Sequence, residues 1–175
     1  HDVVTELTPT ARAAMFRFTF PENDSYVVVA AYDRGSSIQV DAATNRITGY
    51  TTRNSGGVPD NFKNYFVVEF DKPFTYQATY ANVSEPQKQD EKVELALHEG
   101  VLSQTAYQTG AVIGFKTQKG ELVHARVASS FISPEQALVN LKELGNDKFD
   151  TLVAKGKQVW NEALGRIEVE GGNLT

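Results

Sequence analysis

Residues 127–137 read V-A-S-S-F-I-S-P-E-Q-A, and at this junction the hydrophobic period of the chain changes. Before it, apolar side chains alternate; after it, they recur every third or fourth position. Ser133-Pro134-Glu135-Gln136 carries the start signal of a helix. Ser133 can cap, Pro134 suits the first helical position, and Gln136 can reach back to the Ser133 amide. Ala137, Leu138, Leu141 and Leu144 then form one apolar stripe, which Gly145 ends. A second helix starts near Asp147. Its Phe149, Leu152, Val153, Val159, Trp160, Ala163, Leu164 and Ile167 recur at helical spacing. The pattern predicts that both helices lie on the strands and that Trp160 packs in the core. Truncating a fully buried Trp160 to alanine would then cost about 3–5 kcal/mol. Gly156 interrupts the second helix, and a glycine there costs about 1 kcal/mol against alanine. The expected reason is a close helix-to-sheet contact. Gly171-Gly172-Asn173 reads as the start of a linker.

Before the junction, the chain reads as strands. In 12–20, Phe16, Phe18 and Phe20 share one face, and Met15, Arg17 and Thr19 the other. Pro21 breaks that ladder. The run 26–32, Y-V-V-V-A-A-Y, is apolar throughout and suits a strand covered on both faces. Residues 36–41 and 46–52 read as a hairpin. In 62–70, Phe62, Phe66, Val68 and Phe70 share a side; in 74–80, Phe74, Tyr76, Ala78 and Tyr80 do. A polar loop over 85–91 precedes a shorter strand at 92–97. Residues 110–117 and 121–129 are expected to pair as a hairpin around Gln118-Lys119-Gly120. So many strands with no helix between them predict a mainly β fold, an antiparallel β-sandwich over 1–132. The helical pair, 133–170, packs on it, and the whole reads as a single domain.

The chain has 175 residues, enough for one domain with a real core. Ten Phe, seven Tyr and one Trp supply that core. The net charge of −5 and the lack of a basic stripe argue against a nucleic-acid partner. The absence of cysteine excludes disulfides, Cys nucleophiles and Cys zinc sites. No apolar run approaches the ~20 residues of a membrane span. No targeting segment is read at the start, and His1 is not an initiator, so a processed or cut chain is expected.

Chemistry-bearing motifs are weak. His1, His98 and His124 lack metal-ligand spacing, and no loop matches an EF-hand, so no metal site is expected in the chain. Glu69 and Asp71, like Glu168 and Glu170, are carboxylate pairs two residues apart. Such pairs could serve a glycosidase, but on a strand they mostly mark a solvated face. Ser129, Ser130 and Ser133 lack a nucleophile frame. No catalytic residue is therefore expected. The loop Asn54-Ser55-Gly56-Gly57 lets a backbone approach a ligand closely, which makes Asn54, Gly56 and Gly57 the substrate-binding candidates; the plain alternative is a hairpin loop. Tyr50, Tyr65, Tyr76, Tyr80 and Tyr107 are possible sugar stackers. N-x-S/T triplets begin at Asn23, Asn82 and Asn173.

Several words together resemble the N-terminal domain of glycoside hydrolase family 92, the bacterial α-mannosidases. They are E-L-T-P-T-A-R at 6–12, F-R-F-T-F-P at 16–21, N-Y-F-V-V-E-F-D-K-P-F at 64–74, the junction with N-L at 140–141, and W-N-E-A-L-G-R-I-E-V-E-G at 160–171. The resemblance implies a galactose-mutarotase-like supersandwich, here truncated, joined to a C-terminal (α/α)6 catalytic barrel. It implies release of mannose from α-linked glycans with inversion, and calcium as the cofactor of the full enzyme. Both catalytic carboxyls and most calcium contacts would belong to the barrel, beyond Thr175. It also implies an exported, periplasmic or cell-surface bacterial enzyme. Two family words, one like G-N-T-F-P-G and one like S-H-T-H-L-S-G, are missing. On this reading the chain supports a catalytic barrel and is inactive alone. The alternatives are a free-standing carbohydrate-binding sandwich, which requires exposed coplanar aromatics, and an interaction domain with bare strand edges.

Overall fold

The computed structural model describes residues 3–21, 23–83, 95–168 and 170–172. Its strands are β1 (Val4–Pro9), β2 (Ala13–Phe20), β3 (Asn23–Tyr32), β4 (Ser36–Asp41), β5 (Arg46–Thr51), β6 (Asn64–Phe70), β7 (Tyr76–Asn82), β8 (Leu97–Glu99), β9 (Ser103–Ala106), β10 (Gln108–Thr117) and β11 (Glu121–Ser130). Helix α1 (Pro134–Leu141) continues into a 3₁₀ turn at Lys142–Leu144, and α2 (Phe149–Leu164) follows. Seven strands form one sheet in the order β1-β2-β11-β6-β5-β4-β9, and four form a second, β3-β10-β7-β8. Neighbours in both sheets run antiparallel. The fold is therefore the antiparallel sandwich with two C-terminal helices that the alternation predicts.

The core between the sheets takes the inward half of each alternating strand. Phe20, Val68 and Phe70 from the large sheet meet Ala111, Ile113 and Phe115 from the small one, with Phe16 and Phe18 packed against them. Burying each such side chain contributes about 1.5–3 kcal/mol. A second apolar layer lies on the opposite face of the large sheet. There Ala13, Met15, Val67 and Ala128 meet Ala137, Leu141, Leu144, Phe149 and Leu152 of the helical segment. Strand β2 thus has cover on both faces: its Phe row points to the sandwich core and Met15 points under the helices.

Several expectations are corrected. The turn at 118–120 does not close a hairpin. Strand β10 pairs with β3 and β7, whereas β11 pairs with β2 and β6, so the chain crosses from one sheet to the other there. The turn keeps its glycine for the expected reason, since Gly120 takes φ 78°. The run 26–32 is not covered on both faces. It belongs to β3, an edge strand, and Tyr26, Val28 and Tyr32 stand exposed. Phe74 does not share a face with Tyr76. It lies before β7 and turns inward onto Phe70 and Phe115, at ring distances of 5.6 and 6.0 Å. Phe62 precedes β6 and stacks on Phe131 instead, 5.5 Å away. Strands β1 and β9 are not visible in the sequence pattern, and Pro9 is tolerated because β1 is an edge. The expected loop at 85–91 and most of the expected strand at 92–97 lie outside the described residues.

Candidate functional site: the helix face

The junction words turn into a hydrogen-bonded device. Ser133 caps α1 as expected, its Oγ accepting from the Gln136 amide at 3.1 Å, with Pro134 at the first position. The second half of the expected box does not form. The Gln136 side chain instead donates to Asn140 Oδ1 at 3.0 Å, and Asn140 Nδ2 donates to the Ser129 carbonyl at 2.8 Å. Asn140 is buried, so this bond satisfies a polar group that would otherwise carry a desolvation cost. Ser130 Oγ accepts from the Ile132 amide at 3.0 Å and fixes the exit from β11. Serine, glutamine and asparagine at this spacing therefore tie α1 to the last strand.

Charged groups ring the apolar layer under the helices. Glu143 accepts from the Arg12 guanidinium at 2.5 Å, from the Arg12 amide at 2.9 Å and from Thr10 Oγ1 at 2.8 Å. The Arg12 bond holds the Glu143 carboxyl below its usual range. Arg17 donates to Glu6 at 2.6 Å and to Asp150 at 3.0 Å, and its guanidinium lies 4.2 Å from the Phe149 ring centre. Glu6 in turn titrates lower because of the Arg17 bond. Arg126 donates to the Gly145 carbonyl at 2.7 Å, at the end of the 3₁₀ turn. These contacts clamp α1 and the first turn of α2 onto β1, β2 and β11.

Beyond Leu152 no residue of α2 is buried. Val159, Trp160 and Leu164 of α2, and Ile167 just after it, are exposed; Trp160 is 63% accessible. The expectation that Trp160 packs in the core is therefore corrected. Its stripe is real, but nothing among the described residues covers it. Gly156 is corrected as well, because a methyl group there would meet nothing within 4 Å. No close contact demands that glycine. A hollow of about 470 Å³ separates this half of α2 from the β1–β2 turn, with Thr10, Glu143, Lys155, Gly156 and Trp160 on its walls.

The other sequence candidates scatter. Asn54, Gly56 and Gly57 sit in an open loop after β5. Asn54 spends its side chain locally, donating to the Thr52 carbonyl at 2.9 Å and accepting from the Gly56 amide at 2.7 Å. Gly56 and Gly57 take φ of 106° and 74°, conformations that favour glycine. Glu69 is paired with Arg46 at 2.7 Å, and Asp71 with His124 Nδ1 at 2.7 Å. Glu168 and Glu170 lie outside any strand and are exposed; His98 lies on the exposed strand β8. Ser129 and Ser130 serve the junction described above. Asn23 lies in β3 and Asn82 ends β7, while His1 and Asn173 lie outside the described residues. Tyr50 and Tyr65 meet edge to face, with ring planes at 69°. Tyr76 meets Tyr26 at 85°, Tyr80 is buried and Tyr107 is half-buried. These rings form no coplanar platform of the kind a sugar-binding sandwich requires. Among the described residues no three His, Asp or Glu side chains gather closely enough to hold a metal ion.

A family model described as the glycosyl hydrolase family 92 N-terminal domain matches residues 1–130. The chain belongs to that family. The match stops at the last residue of β11, but the structural likeness takes in the helices too. The domain superimposes on the family GH92 inverting mannosidase BT2199 from Bacteroides thetaiotaomicron VPI-5482 with a TM-score of 0.86 and 39% identity, over 98% of this chain and 22% of that one. On the family GH92 α-mannosidase BT3965 from Bacteroides thetaiotaomicron it gives 0.80 and 25%, over 98% and 23%. This family 92 N-terminal domain thus spans between a fifth and a quarter of the length of these solved relatives. No curated protein matches it.

Proposed function

We propose that the chain is the supporting sandwich of a calcium-dependent, inverting bacterial α-mannosidase, joined to a C-terminal catalytic (α/α)6 barrel that acts on mannose-containing glycans. One observation carries this reading. Helix α2 leaves the sandwich with Val159, Trp160 and Leu164 uncovered, in a chain 22% as long as the inverting mannosidase it superimposes on. Exposed apolar stripes of this kind mark interaction surfaces. The clamp on α1 gives that stripe a rigid base, so the barrel can dock at a fixed angle. The supersandwich character and an exported, periplasmic or cell-surface location follow from the same resemblance. The open loop with Asn54, Gly56 and Gly57 is proposed to face the barrel.

The chemistry is assigned elsewhere in the polypeptide. Inversion needs a carboxylic acid and a carboxylate about 6.5–9.5 Å apart across the sugar. Here Glu69, Asp71, Glu143 and Asp150 are each held by a cationic or imidazole partner on the scaffold. Calcium requires six to eight oxygen ligands, and among the described residues no group of three carboxylate or histidine side chains gathers to supply them. The calcium is proposed to lie in the barrel. The test is an assay of mannose release from an α-mannoside. The longer polypeptide should release it only with calcium, and the present chain alone should release none. Hydrolysis by the present chain would overturn the assignment.

A further inference from the structure

On the outward face of the small sheet a glycine stands between two tyrosines. Strand β10 turns Ile113 and Phe115 into the sandwich core, so Gly114 and Lys116 face out. The ladder places Tyr26 of β3 on one side of Gly114 and Tyr76 of β7 on the other, with Asp24 opposite Lys116. A glycine weakens a strand and marks a place of close approach. Here a Cβ would stand 2.7 Å from the Tyr76 Cβ and 3.0 Å from Tyr26 Cε1, so its absence lets both side chains close over the strand. The same device occurs at Gly110, where a Cβ would meet the Tyr80 ring at 2.2 Å. The two outcomes differ. Tyr80 is 7% exposed, whereas Tyr26 keeps 51% of its surface open. The Tyr26 ring meets that of Tyr76 at 85°, with centres 5.7 Å apart, so the pair forms a corner and not a platform. A hollow of about 190 Å³ lies in this corner. Thr75 and the Asp24–Lys116 ion pair, at 2.6 Å, line the rest of it.

We propose that this corner binds one neutral pyranose unit of a glycan. Small-ligand sites combine apolar walls with a few placed polar groups. A pyranose offers both surfaces: a face of C–H bonds that suits an aromatic ring, and a rim of hydroxyls that donate and accept. The open ring of Tyr26 takes the C–H face, and Tyr76 closes the side. Asp24 accepts from the hydroxyls and Lys116 donates to them. Hydrogen bonds to charged groups are stronger than neutral ones, and an exposed ion pair contributes little to stability, so both partners are free to serve a ligand. Their charges cancel, which favours a neutral ligand over an anion or a cation. The small volume limits the corner to a single ring.

The choice of a mannoside as probe rests on the functional reading, and NMR of the present chain tests the corner itself. Methyl α-mannoside is titrated in, with mannitol as an open-chain control of similar hydroxyl content. The ring signals of Tyr26 and Tyr76 should shift and saturate in the millimolar range, and mannitol should leave them in place. Tyr26→Ala should weaken binding at least about tenfold, because the stacked ring is lost. Asp24→Ala should weaken it too and, at an exposed position, leave the Tm nearly unchanged. Ring signals that stay still at tens of millimolar mannoside would overturn the proposal. So would equal shifts with mannitol, or an affinity that neither substitution changes. If the present chain does not hold its fold alone, the longer polypeptide decides: the mannoside should shield Tyr26 from hydroxyl radicals there, and oxidation that is the same with and without it would overturn the proposal. A longer polypeptide without mannosidase activity would defeat the functional reading and leave the ring shifts standing.

Discussion

Leu144 and Trp160 belong to the same kind of sequence, an apolar stripe at helical spacing, yet one is 0% and the other 63% exposed. The segment around Leu144 is pressed onto Met15, Val67 and Ala128 and ringed by ion pairs. The distal half of α2 has a stripe of similar quality that nothing among the described residues covers. Amphipathic spacing shows that a helix will bury one face; it does not show against what. In the first region the partner is within the chain. In the second, on our reading, it is in the rest of the polypeptide.

The largest expected effect sets these regions against each other directly. Leu144→Ala should destabilise the present chain by about 2–5 kcal/mol, because it opens a cavity in a closed layer. Trp160→Ala should stay within about 0.5 kcal/mol, as an exposed substitution does. Denaturant melts of both variants measure the contrast, and similar losses would break it.

Acid should loosen the clamped region and spare the free one. The Glu143 and Glu6 carboxyls titrate lower in the folded chain than in the unfolded one. The folded state then binds fewer protons, so their contribution is complete above the ordinary value of 4.5 and fades as the pH falls below it through the lowered values. Glu143→Gln should lower the Tm at neutral pH, and its melting curve should converge on that of wild type in acid. Curves that stay parallel down to low pH would show that the Arg12–Glu143 contact holds nothing by charge.

The smallest effect has the opposite sign. Gly156 lies in the free half of α2 and has open space where a side chain would stand. Gly156→Ala should raise the stability of the present chain by up to about 1 kcal/mol, through helix propensity alone. A loss instead would mean that the sheet approaches α2 more closely than the structure shows.

The strand faces were legible in the sequence where alternation was strict. Phe16, Phe18, Phe66, Val68 and Phe70 point inward as their spacing predicts, and the cap at Ser133 follows from local chemistry. What the pattern misses is non-local. A three-residue turn at 118–120 serves equally to close a hairpin or to pass between sheets, and only the partners of β10 and β11 decide. The run 26–32 of β3 is apolar throughout, which periodicity cannot separate into cover by this chain and cover by another segment. Phe74 escapes its strand because Phe70 and Phe115 offer an aromatic pocket one turn away. The site candidates fared worse, since Asn54, Glu69 and Asp71 are ordinary residue types whose partners here are the scaffold itself.

The central claim is that the distal stripe of α2 is a docking surface. Hydroxyl-radical footprinting at Trp160, read by mass spectrometry, tests it in the present chain and in the longer polypeptide. The account predicts rapid oxidation of Trp160 in the first and strong protection in the second. Equal oxidation in both, or a Trp160 already protected in the present chain, would contradict it.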